Sequence, residues 1–239
     1  MYPDPILITG AGRRVGLHLA ERLLDDGATV IAHYHSETKG VARLRERGAA
    51  VLCGALDTAD GALALASAVR ETTPRLRAVV HNASAFAGSD GDTQTAVDQF
   101  QRFFAIHMQA PWLLNTELAA LLRASRMQPA DIVHITDIFA ERPNPAFDLY
   151  CSTKAGLENL SLSFAQRYAP EIKVNCIRPG PILFQPTHGE ETRAAILAET
   201  PLGREGGAEP VYLALRALLD NDYITGAALP VDGGRHLAC

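Results

Sequence analysis

The chain has 239 residues, of which 47% are hydrophobic and 21% are charged, and its 22 basic and 27 acidic residues give a net charge of −5. This length predicts one or two globular domains with a substantial core. An acidic balance without a basic block argues against nucleic-acid binding. The sequence lacks an apolar run of the ~18 residues that a bilayer requires, and it does not begin with a secretory signal. We therefore expect a cytoplasmic protein that does not bind membranes.

Short apolar runs alternate with longer helical patterns along the chain. The runs predict strands at 6–9, 29–34, 49–54, 76–82, 131–136, 173–179 and 227–234, with helices at about 14–25, 38–47, 58–73, 95–125, 150–168 and 208–219. Apolar strands separated by helices indicate a parallel sheet that is covered on both faces. Right-handed crossovers then predict an α/β fold, a Rossmann-type doubly wound sheet, as a single domain over 1–239. The irregular stretch 181–207 follows a strand end, where such sheets bind ligands, and we expect it to cover the substrate.

A glycine-rich stretch, TGAGRRVG at 9–16, lies between the first predicted strand and the first predicted helix. Glycine allows the backbone to approach a pyrophosphate closely, and a helix start provides N–H groups and a favourable dipole. We predict that Gly10, Arg13, Arg14 and Val15 contact a dinucleotide. A glycine-rich turn alone is a weak signal, so this prediction depends on the motifs that follow it.

The second predicted strand ends in His33, Tyr34, His35 and Ser36, with no acid before Glu37. Folds that prefer NAD place an acid here to bond the ribose 2′-hydroxyl. Cationic and hydroxyl side chains suit a 2′-phosphate instead, so these four residues predict NADPH as the cofactor. His33 and His35 would point the same way on a strand and could share a metal ion. No third ligand is evident, and we predict no metal site.

Three residues with acid–base side chains, Asp137, Tyr150 and Lys154, lie in the stretch HITDIFAERPNPAFDLYCSTK. Tyr150 and Lys154 are four residues apart, which places them on one face of a helix. A lysine ammonium beside a phenol lowers the phenol pKa from about 10, so Tyr150 could pass protons near neutral pH. Together with the glycine-rich turn, this pair resembles the active site of the short-chain dehydrogenase/reductase family. Members usually carry a serine 13 residues before the tyrosine, and Asp137 in that place resembles the pteridine reductase branch.

At two further places the sequence departs from the general family pattern and resembles the pteridine reductase branch. Arg14 occupies the middle glycine of T-G-x-x-x-G-x-G, and HNASAF at 81–86 resembles the family's N-N-A-G, with Ser84 in place of the glycine. The resemblance implies that Arg14 contacts the cofactor phosphates and the pterin edge. It also implies that Ser84 or Ala85 lies near the phosphates and that Phe86 stacks on a pterin. The alternatives are a solvated arginine and a core phenylalanine.

The resemblance implies roles for several other cofactor-binding positions. Arg13 would meet the 2′-phosphate, Asp57 the adenine amine and Asn82 the adenine ribose. Asp57 could also cap the helix that follows it. Pro179 and Gly180 match a motif whose backbone contacts the nicotinamide carboxamide.

His107 matches a helix asparagine that anchors a proton-relay water in the family. Histidine could take that role because it can both donate and accept a hydrogen bond, or it could be a buried structural residue. The C-terminal stretch 231–234, VDGG, matches a signature that often lies at a subunit interface. Family members are commonly tetramers that pair helices near 95–125 and 150–168, so we expect a homotetramer.

The resemblance implies that the chain uses NADPH to reduce a dihydropterin, 7,8-dihydromonapterin, with side activity on dihydrofolate. Hydride would reach C6 of the C6=N5 imine while N5 gains a proton, which a nearby acid favours. Asp137 would provide this proton, directly or through water, and Tyr150 would orient Asp137. Lys154 would hold the nicotinamide ribose and keep Tyr150 acidic. We expect the substrate to contact Arg14, Phe86, Asp137 and Tyr150.

Two alternatives stay open at this point, a related reductase and a protein of another class. A carbonyl or 3-oxoacyl-thioester reductase would have the same fold, but Asp137 and Arg14 depart from the pattern of those enzymes. A non-catalytic NADP(H)-binding sensor would tend to lose Tyr150 and Lys154, which this chain keeps. The sequence does not decide which pterin is the physiological substrate.

Overall fold

The computed structural model describes residues 2–89 and 91–238, and the apolar runs within them form one parallel sheet. Its strands are β1 Ile6–Ile8, β2 Val30–Tyr34, β3 Ala50–Cys53, β4 Ala78–His81, β5 Ala130–Ile135, β6 Ile172–Pro179 and β7 Ala228–Val231. The strand order is β3-β2-β1-β4-β5-β6-β7. Residue Ile6 pairs with Val30 on one side and Ala78 on the other, so the chain reverses its direction of winding beside β1. Ligands of such sheets bind at this switch point, outside the carboxyl ends of the strands.

Helices cover both faces of the sheet. They are α1 Arg14–Asp25, α2 Lys39–Glu46, α3 Ala59–Thr72, α4 Thr93–Phe104, α5 Ala110–Arg123, α6 Asp148–Tyr168, α7 Glu190–Ala198 and α8 Glu209–Asp220. Ile6 and Ile8 belong to a core with Leu19 of α1 and Leu215 of α8. Leu7 belongs to the opposite core, with α3, α5 and α6, because successive strand residues point to opposite faces. The predicted doubly wound α/β fold is confirmed.

The single helix predicted near 95–125 is instead divided by a π-helical turn over Ala105–Gln109. The cause is in the sequence, since Pro111 has no N–H to donate to the carbonyl of His107 and its ring would clash with that carbonyl. The helical turn here contains one extra residue, because the Ala110 N–H donates to the carbonyl of Ala105, five residues back. This turn lies beside α6, where Gly156 allows close contact, because a Cβ there would lie 2.6 Å from the Met108 side chain.

The start of α3 shows that one predicted alternative is wrong. The N-cap is Thr58, whose hydroxyl accepts a hydrogen bond from the Gly61 N–H at 3.1 Å. Threonine is a favoured N-cap, and Asp57 is left outside the helix with its carboxylate 3.9 Å from the Arg102 guanidinium.

The segment 181–207 after β6 contains α7 and otherwise consists of turns. Arg235 fixes α7 to the end of the chain through an ion pair with Glu199 at 2.6 Å. In the part of the chain that the structure describes, none of the helices has the length and hydropathy that crossing a bilayer requires.

Candidate active site

The glycine-rich turn packs directly against the end of β4. Gly10 has a φ of +67°, and a Cβ there would lie 2.8 Å from the Ala83 Cα. A Cβ on Gly16 would lie 2.3 Å from the Gly10 carbonyl oxygen. The Asn82 amide donates to the carbonyls of Thr9 and Gly10 at 3.0 and 3.1 Å. Asn82 therefore holds the turn closed, and only glycine fits at its two tightest positions.

His33 connects the glycine-rich turn to the residue after β3 through hydrogen bonds. Its Nδ1 accepts a hydrogen bond from the Gly10 N–H at 3.2 Å, and its Nε2 lies 3.2 Å from the carbonyl of Gly54. Burial lowers the His33 pKa to about 4, so the ring is neutral and donates through Nε2. The prediction of a direct cofactor contact therefore changes for His33, because both ring nitrogens are used by the backbone. His35 and Ser36 are exposed at the same strand end.

The acid nearest to this strand end is neutralised by a partner. Both Glu37 carboxylate oxygens accept hydrogen bonds from the Arg45 guanidinium, at 3.2 and 3.4 Å. The hydrogen bond from Arg45 lowers the Glu37 pKa, and a hydrogen bond from Tyr34 lowers it further. Arg13 is exposed at the start of α1, and among residues 2–89 and 91–238 no carboxylate forms an ion pair with it. This part of the surface therefore offers a cation to a ligand.

Arg14 has a φ of +52°, in the left-handed region that favours the glycine of the family pattern. A non-glycine residue there costs about 1–2 kcal/mol. The guanidinium donates to the carbonyl of Leu183 at 2.6 Å and to that of Phe184 at 3.3 Å. Arg14 therefore connects the glycine-rich turn to the segment 181–207, which places it between the two predicted binding regions.

Asp137 follows β5 and begins a 3₁₀ turn. Its Oδ1 accepts from the Phe139 N–H at 3.0 Å, and its Oδ2 accepts from the Tyr150 hydroxyl at 2.9 Å. Burial raises the Asp137 pKa, while these two hydrogen bonds and the Lys154 charge oppose the rise. The side chain is enclosed, yet the residue keeps some contact with solvent. Such a carboxyl holds its proton to a higher pH than an exposed aspartate does, and it can still face a ligand.

The expectation that Lys154 makes Tyr150 acidic is not met. The Lys154 Nζ donates to the carbonyl of Ile135 at 3.0 Å and lies 5.7 Å from the centre of the Tyr150 ring. Burial and the neighbouring Asp137 carboxylate raise the Tyr150 pKa well above its ordinary value. Burial lowers the Lys154 pKa to about 8. Tyr150 is therefore a neutral hydrogen-bond donor to Asp137.

Phe86 lies at the mouth of this site and is 40% exposed. Its ring stacks on Phe147 at 4.8 Å and meets the Tyr150 ring edge-on at 4.9 Å. A cavity of about 330 Å³ opens beside Phe86 and includes Phe103 and Arg102 in its lining. Phe86 is thus not a core residue, and its exposed ring is available to a flat ligand.

Two further predicted residues, Gly180 and Ser84, contact neighbouring elements. Gly180 packs against β7, since a Cβ there would lie 2.5 Å from the Asp232 Cβ, and its N–H donates to the Val231 carbonyl at 3.1 Å. The Ser84 hydroxyl, predicted near the phosphates, lies 2.9 Å from the Nε2 of His107. Sequence reasoning missed Thr153, whose hydroxyl lies 2.8 Å from the Nδ1 of His107. Its position on α6, three residues after Tyr150, was the feature of the sequence that could have indicated a role for Thr153 near the site.

Within residues 2–89 and 91–238, no group of three or more His, Cys, Asp or Glu side chains is placed to hold a metal ion.

Comparison with known proteins assigns the class that this fold and site define. The family model described as enoyl-(acyl carrier protein) reductase matches residues 10–236. The chain belongs to the short-chain dehydrogenase/reductase family, an oxidoreductase family, as its motifs indicated.

More specific similarities extend over the whole chain. It is 40% identical over 236 residues to a dihydromonapterin reductase of Klebsiella pneumoniae, with 98% of each chain covered. FolM alternative dihydrofolate reductase 1 from Brucella canis, complexed with NADP, has a TM-score of 0.89 and 29% identity, covering 100% of this chain and 96% of that one. The Pseudomonas aeruginosa RhlG/NADP complex has a TM-score of 0.89 and 27% identity, covering 99% and 97%.

Proposed function

We propose that this chain uses NADPH to reduce the C6=N5 bond of a dihydropterin. The observation that carries the proposal is the buried Asp137 carboxyl, which accepts from the Tyr150 hydroxyl at 2.9 Å and has a raised pKa. A carboxylic acid protonates an imine nitrogen far better than the hydroxyl of the usual serine does. The names of the relatives, dihydromonapterin reductase and alternative dihydrofolate reductase, agree with a pterin substrate.

The residues at the switch point fit NADPH. Gly10 and Gly16 leave no room for a Cβ, and α1 begins without a side-chain cap or an acid in its first turn. The N–H groups of that turn are therefore available to a pyrophosphate. Arg13 and Ser36 are exposed where a 2′-phosphate would lie, and Glu37 is paired with Arg45. Two of the solved structures that resemble this chain are described as NADP complexes.

In this proposal each residue of the site has a separate task. Bound NADPH would provide the hydride, which adds to C6 of the substrate. Protonated Asp137 gives its proton to N5, directly or through a water, and becomes a carboxylate. Tyr150 stabilises that carboxylate by donating its hydroxyl hydrogen bond, and the Lys154 charge lies close enough to favour the anion. Lys154 also holds the nicotinamide ribose, and Phe86 stacks on the pterin ring.

Arg14 connects the glycine-rich turn to one side of the proposed substrate pocket. Its guanidinium bonds two carbonyls at the start of the segment 181–207, and its strained backbone lies in the glycine-rich turn. We propose that this segment covers the pterin and meets the tail beyond C6. Its residues would then decide between monapterin, biopterin and folate.

A subunit interface belongs to the same proposal. α4 exposes Val97, Phe100 and Phe104, which are 42%, 44% and 46% exposed and share one helix face through spacings of three and four residues. Trp112 of α5 is also 43% exposed. We propose that a second copy covers these side chains in a homotetramer, which would act in the cytoplasm. A monomer found by light scattering would contradict the homotetramer. Recovery of the enzyme in a membrane fraction would contradict the cytoplasmic location.

We expect NADPH to be the preferred cofactor, because the strand end after β2 offers exposed polar groups and a paired acid. The measurement is the ratio of kcat/KM for NADPH to kcat/KM for NADH with one pterin substrate. Replacing Arg13 with alanine is expected to lower this ratio about 10-fold, the loss of one charge-assisted hydrogen bond. Arg75→Ala, at a distant exposed arginine, is the control and should leave the ratio unchanged. A preference of the wild type for NADH would contradict the assignment.

The function itself is tested by NADPH consumption with dihydromonapterin, dihydrobiopterin and dihydrofolate as separate substrates. We expect turnover with at least one of them, and the order of the three kcat/KM values would identify the preferred tail. NADPH binding without turnover of any pterin would favour the sensor alternative.

A further inference from the structure

Three side chains on one face of α6 contact consecutive residues where β5 ends. Tyr150, Lys154 and Glu158 are spaced four residues apart, which aligns them along the helix. The Lys154 ammonium donates to a carbonyl of β5 at 3.0 Å, and the Tyr150 hydroxyl donates to Asp137 at 2.9 Å. The Thr136 hydroxyl donates to the Glu158 carboxylate at 2.8 Å. The proposed reaction gives a task to Tyr150 and Lys154 but none to Glu158.

The Thr136 hydroxyl has two acceptors within reach, and the carboxylate is the better one. The Glu158 Oε1 lies 2.8 Å from the hydroxyl oxygen, whereas the carbonyl oxygen of Ile177 lies 3.2 Å from it. A hydroxyl has one hydrogen to donate, and a charged acceptor at the shorter distance binds it more strongly. Thr136 is 3% exposed, so water competes little for this hydrogen bond. The residue before Asp137 is therefore bound to α6 through its side chain.

Arg178 on β6 fixes the direction of that carboxylate. Its Nε and one terminal nitrogen donate to the two Glu158 oxygens at 2.8 and 2.6 Å. A bidentate pair of this kind sets the plane of the carboxylate as well as its position. The other terminal nitrogen of Arg178 forms an ion pair with Glu141, which follows the 3₁₀ turn that begins after Asp137. The segment that carries Asp137 is thus held on both sides of that residue.

We propose that Glu158 is a positioning residue that holds Asp137 in place for proton transfer. It acts on the preceding residue, Thr136, directly and on the following turn through Arg178. This inference rests on the proposed function, in which Asp137 gives its proton to the substrate. The Glu158 and Arg178 side chains are 12% and 20% exposed, so water and salt screen this pair less than a surface ion pair. Proton transfer needs donor and acceptor within hydrogen-bond reach, and small displacements lower its rate.

The same carboxylate also contributes charge to the site. Burial raises the Asp137 pKa most, and repulsion by Glu158 adds to the rise. Loss of the Glu158 charge should therefore lower the Asp137 pKa, so that the acid loses its proton at a lower pH. A change at Thr136 removes no charge and should not have this effect. Position and charge can thus be separated by experiment.

Other ionisable groups adjoin these two carboxyls and stay the same in every variant below. They are Glu141, Tyr150, Cys151, Lys154, Cys176 and Arg178. A shift of the pH profile therefore reports on Glu158.

The first test compares kcat for the dihydropterin with the NADPH dissociation constant in Thr136→Val and Thr136→Ser. Valine has nearly the shape of threonine but no hydroxyl, and we expect kcat to fall about 10-fold while the dissociation constant stays within about two-fold. Serine restores the hydroxyl and should recover most of the lost kcat. Glu117→Gln breaks a partly exposed ion pair with Arg70 between α5 and α3 and is the control, with kcat as in the wild type. Equal kcat in all variants, or a loss that serine does not reduce, would overturn the proposal.

A double-mutant cycle assigns the effect of the hydroxyl to Glu158. In a Glu158→Ala background the hydroxyl has lost its carboxylate partner, so Thr136→Val should lower kcat by no more than about two-fold further. Arg178 keeps its ion pair with Glu141 in this background. A further loss of about 10-fold would show that the hydroxyl acts through Ile177, which would overturn the proposal.

The last test uses Glu158→Gln, which keeps an oxygen for Thr136 but removes the charge. The fall of kcat at high pH should begin about half a pH unit lower than in the wild type, and Thr136→Val should not shift it. ¹³C NMR of the Asp137 carboxyl, which needs no turnover, should show the same decrease of its pKa in Glu158→Gln. An unchanged Asp137 pKa would overturn the proposal even if the enzyme reduces dihydropterins. Absence of dihydropterin turnover in the wild type would instead contradict the proposed function, and the NMR comparison would then decide whether Glu158 acts on Asp137.

Discussion

Replacing Asp137 with serine is expected to lower kcat for a dihydropterin by about 10²–10⁴-fold, the usual contribution of a general acid. Serine restores the residue common in the family and keeps a hydroxyl that can accept from Tyr150, so the change removes mainly the acidic proton. Asp137→Asn should have a similar effect, because it keeps the shape and the acceptor for the Phe139 N–H. The KM for NADPH should stay within a few-fold, since Asp137 is not expected to bind the cofactor.

The matched control for this prediction is Asp148→Asn. Asp148 is an exposed carboxylate at the start of α6, the helix that carries Tyr150, and it does not contact Asp137. Turnover of this variant should resemble that of the wild type. If Asp137→Ser kept dihydropterin turnover within a few-fold, the acid would have no role in proton delivery.

The second large effect expected is a loss of stability between pH 6.5 and pH 4. Burial lowers the pKa values of four histidines, to about 4 for His33 and His81 and well below 6.5 for His107 and His134. The unfolded chain binds protons on these rings below pH 6.5 and the folded chain does not, so stability falls as the pH falls through that window. A decrease from 6.5 to about 4 corresponds to roughly 3 kcal/mol for each of the first two rings. Asp137, with its raised pKa, contributes the opposite slope.

The measurement is the free energy of unfolding from urea titrations at several pH values between 7.5 and 4.5. The slope of the unfolding free energy against pH reports how many more protons the unfolded chain binds than the folded chain. His33→Asn should reduce this number by about one, even if the variant is also less stable at pH 7.5. His35→Asn is the control on the same strand end, because His35 is exposed. Equal slopes for these two variants and the wild type would show that the buried rings take up protons without unfolding.

The sequence predicted the fold well because the signals of a parallel sheet are local. Each apolar strand and each helical pattern can be recognised within a few residues, and the glycine-rich turn follows β1 directly. The pair Tyr150 and Lys154 was also local, since four residues separate them on one helix. The π-helical turn was missed because a helical pattern continues on both sides of it, although Pro111 was a visible cause.

The electrostatics of the site could not be predicted in the same way. Spacing placed Lys154 beside Tyr150, but the ammonium turns to the Ile135 carbonyl, which is contributed by β5. The Tyr150 pKa depends on its burial and on Asp137, both of which depend on the tertiary fold. The role of His33 could not be predicted either. The direction of its side chain depends on the register of β2 against the neighbouring strands and on the glycine-rich turn that it contacts. Contacts between distant segments decided each of these differences.

In the proposed reaction this site protonates an imine nitrogen and does not polarise a ketone oxygen. The most direct test compares kcat/KM for dihydromonapterin and for an acetoacetyl thioester, with NADPH, in the wild-type enzyme. We predict that the dihydropterin value exceeds the thioester value by at least about 100-fold, the lower end of a general acid's contribution. A thioester value equal to or above the dihydropterin value would contradict the claim and identify a carbonyl reductase.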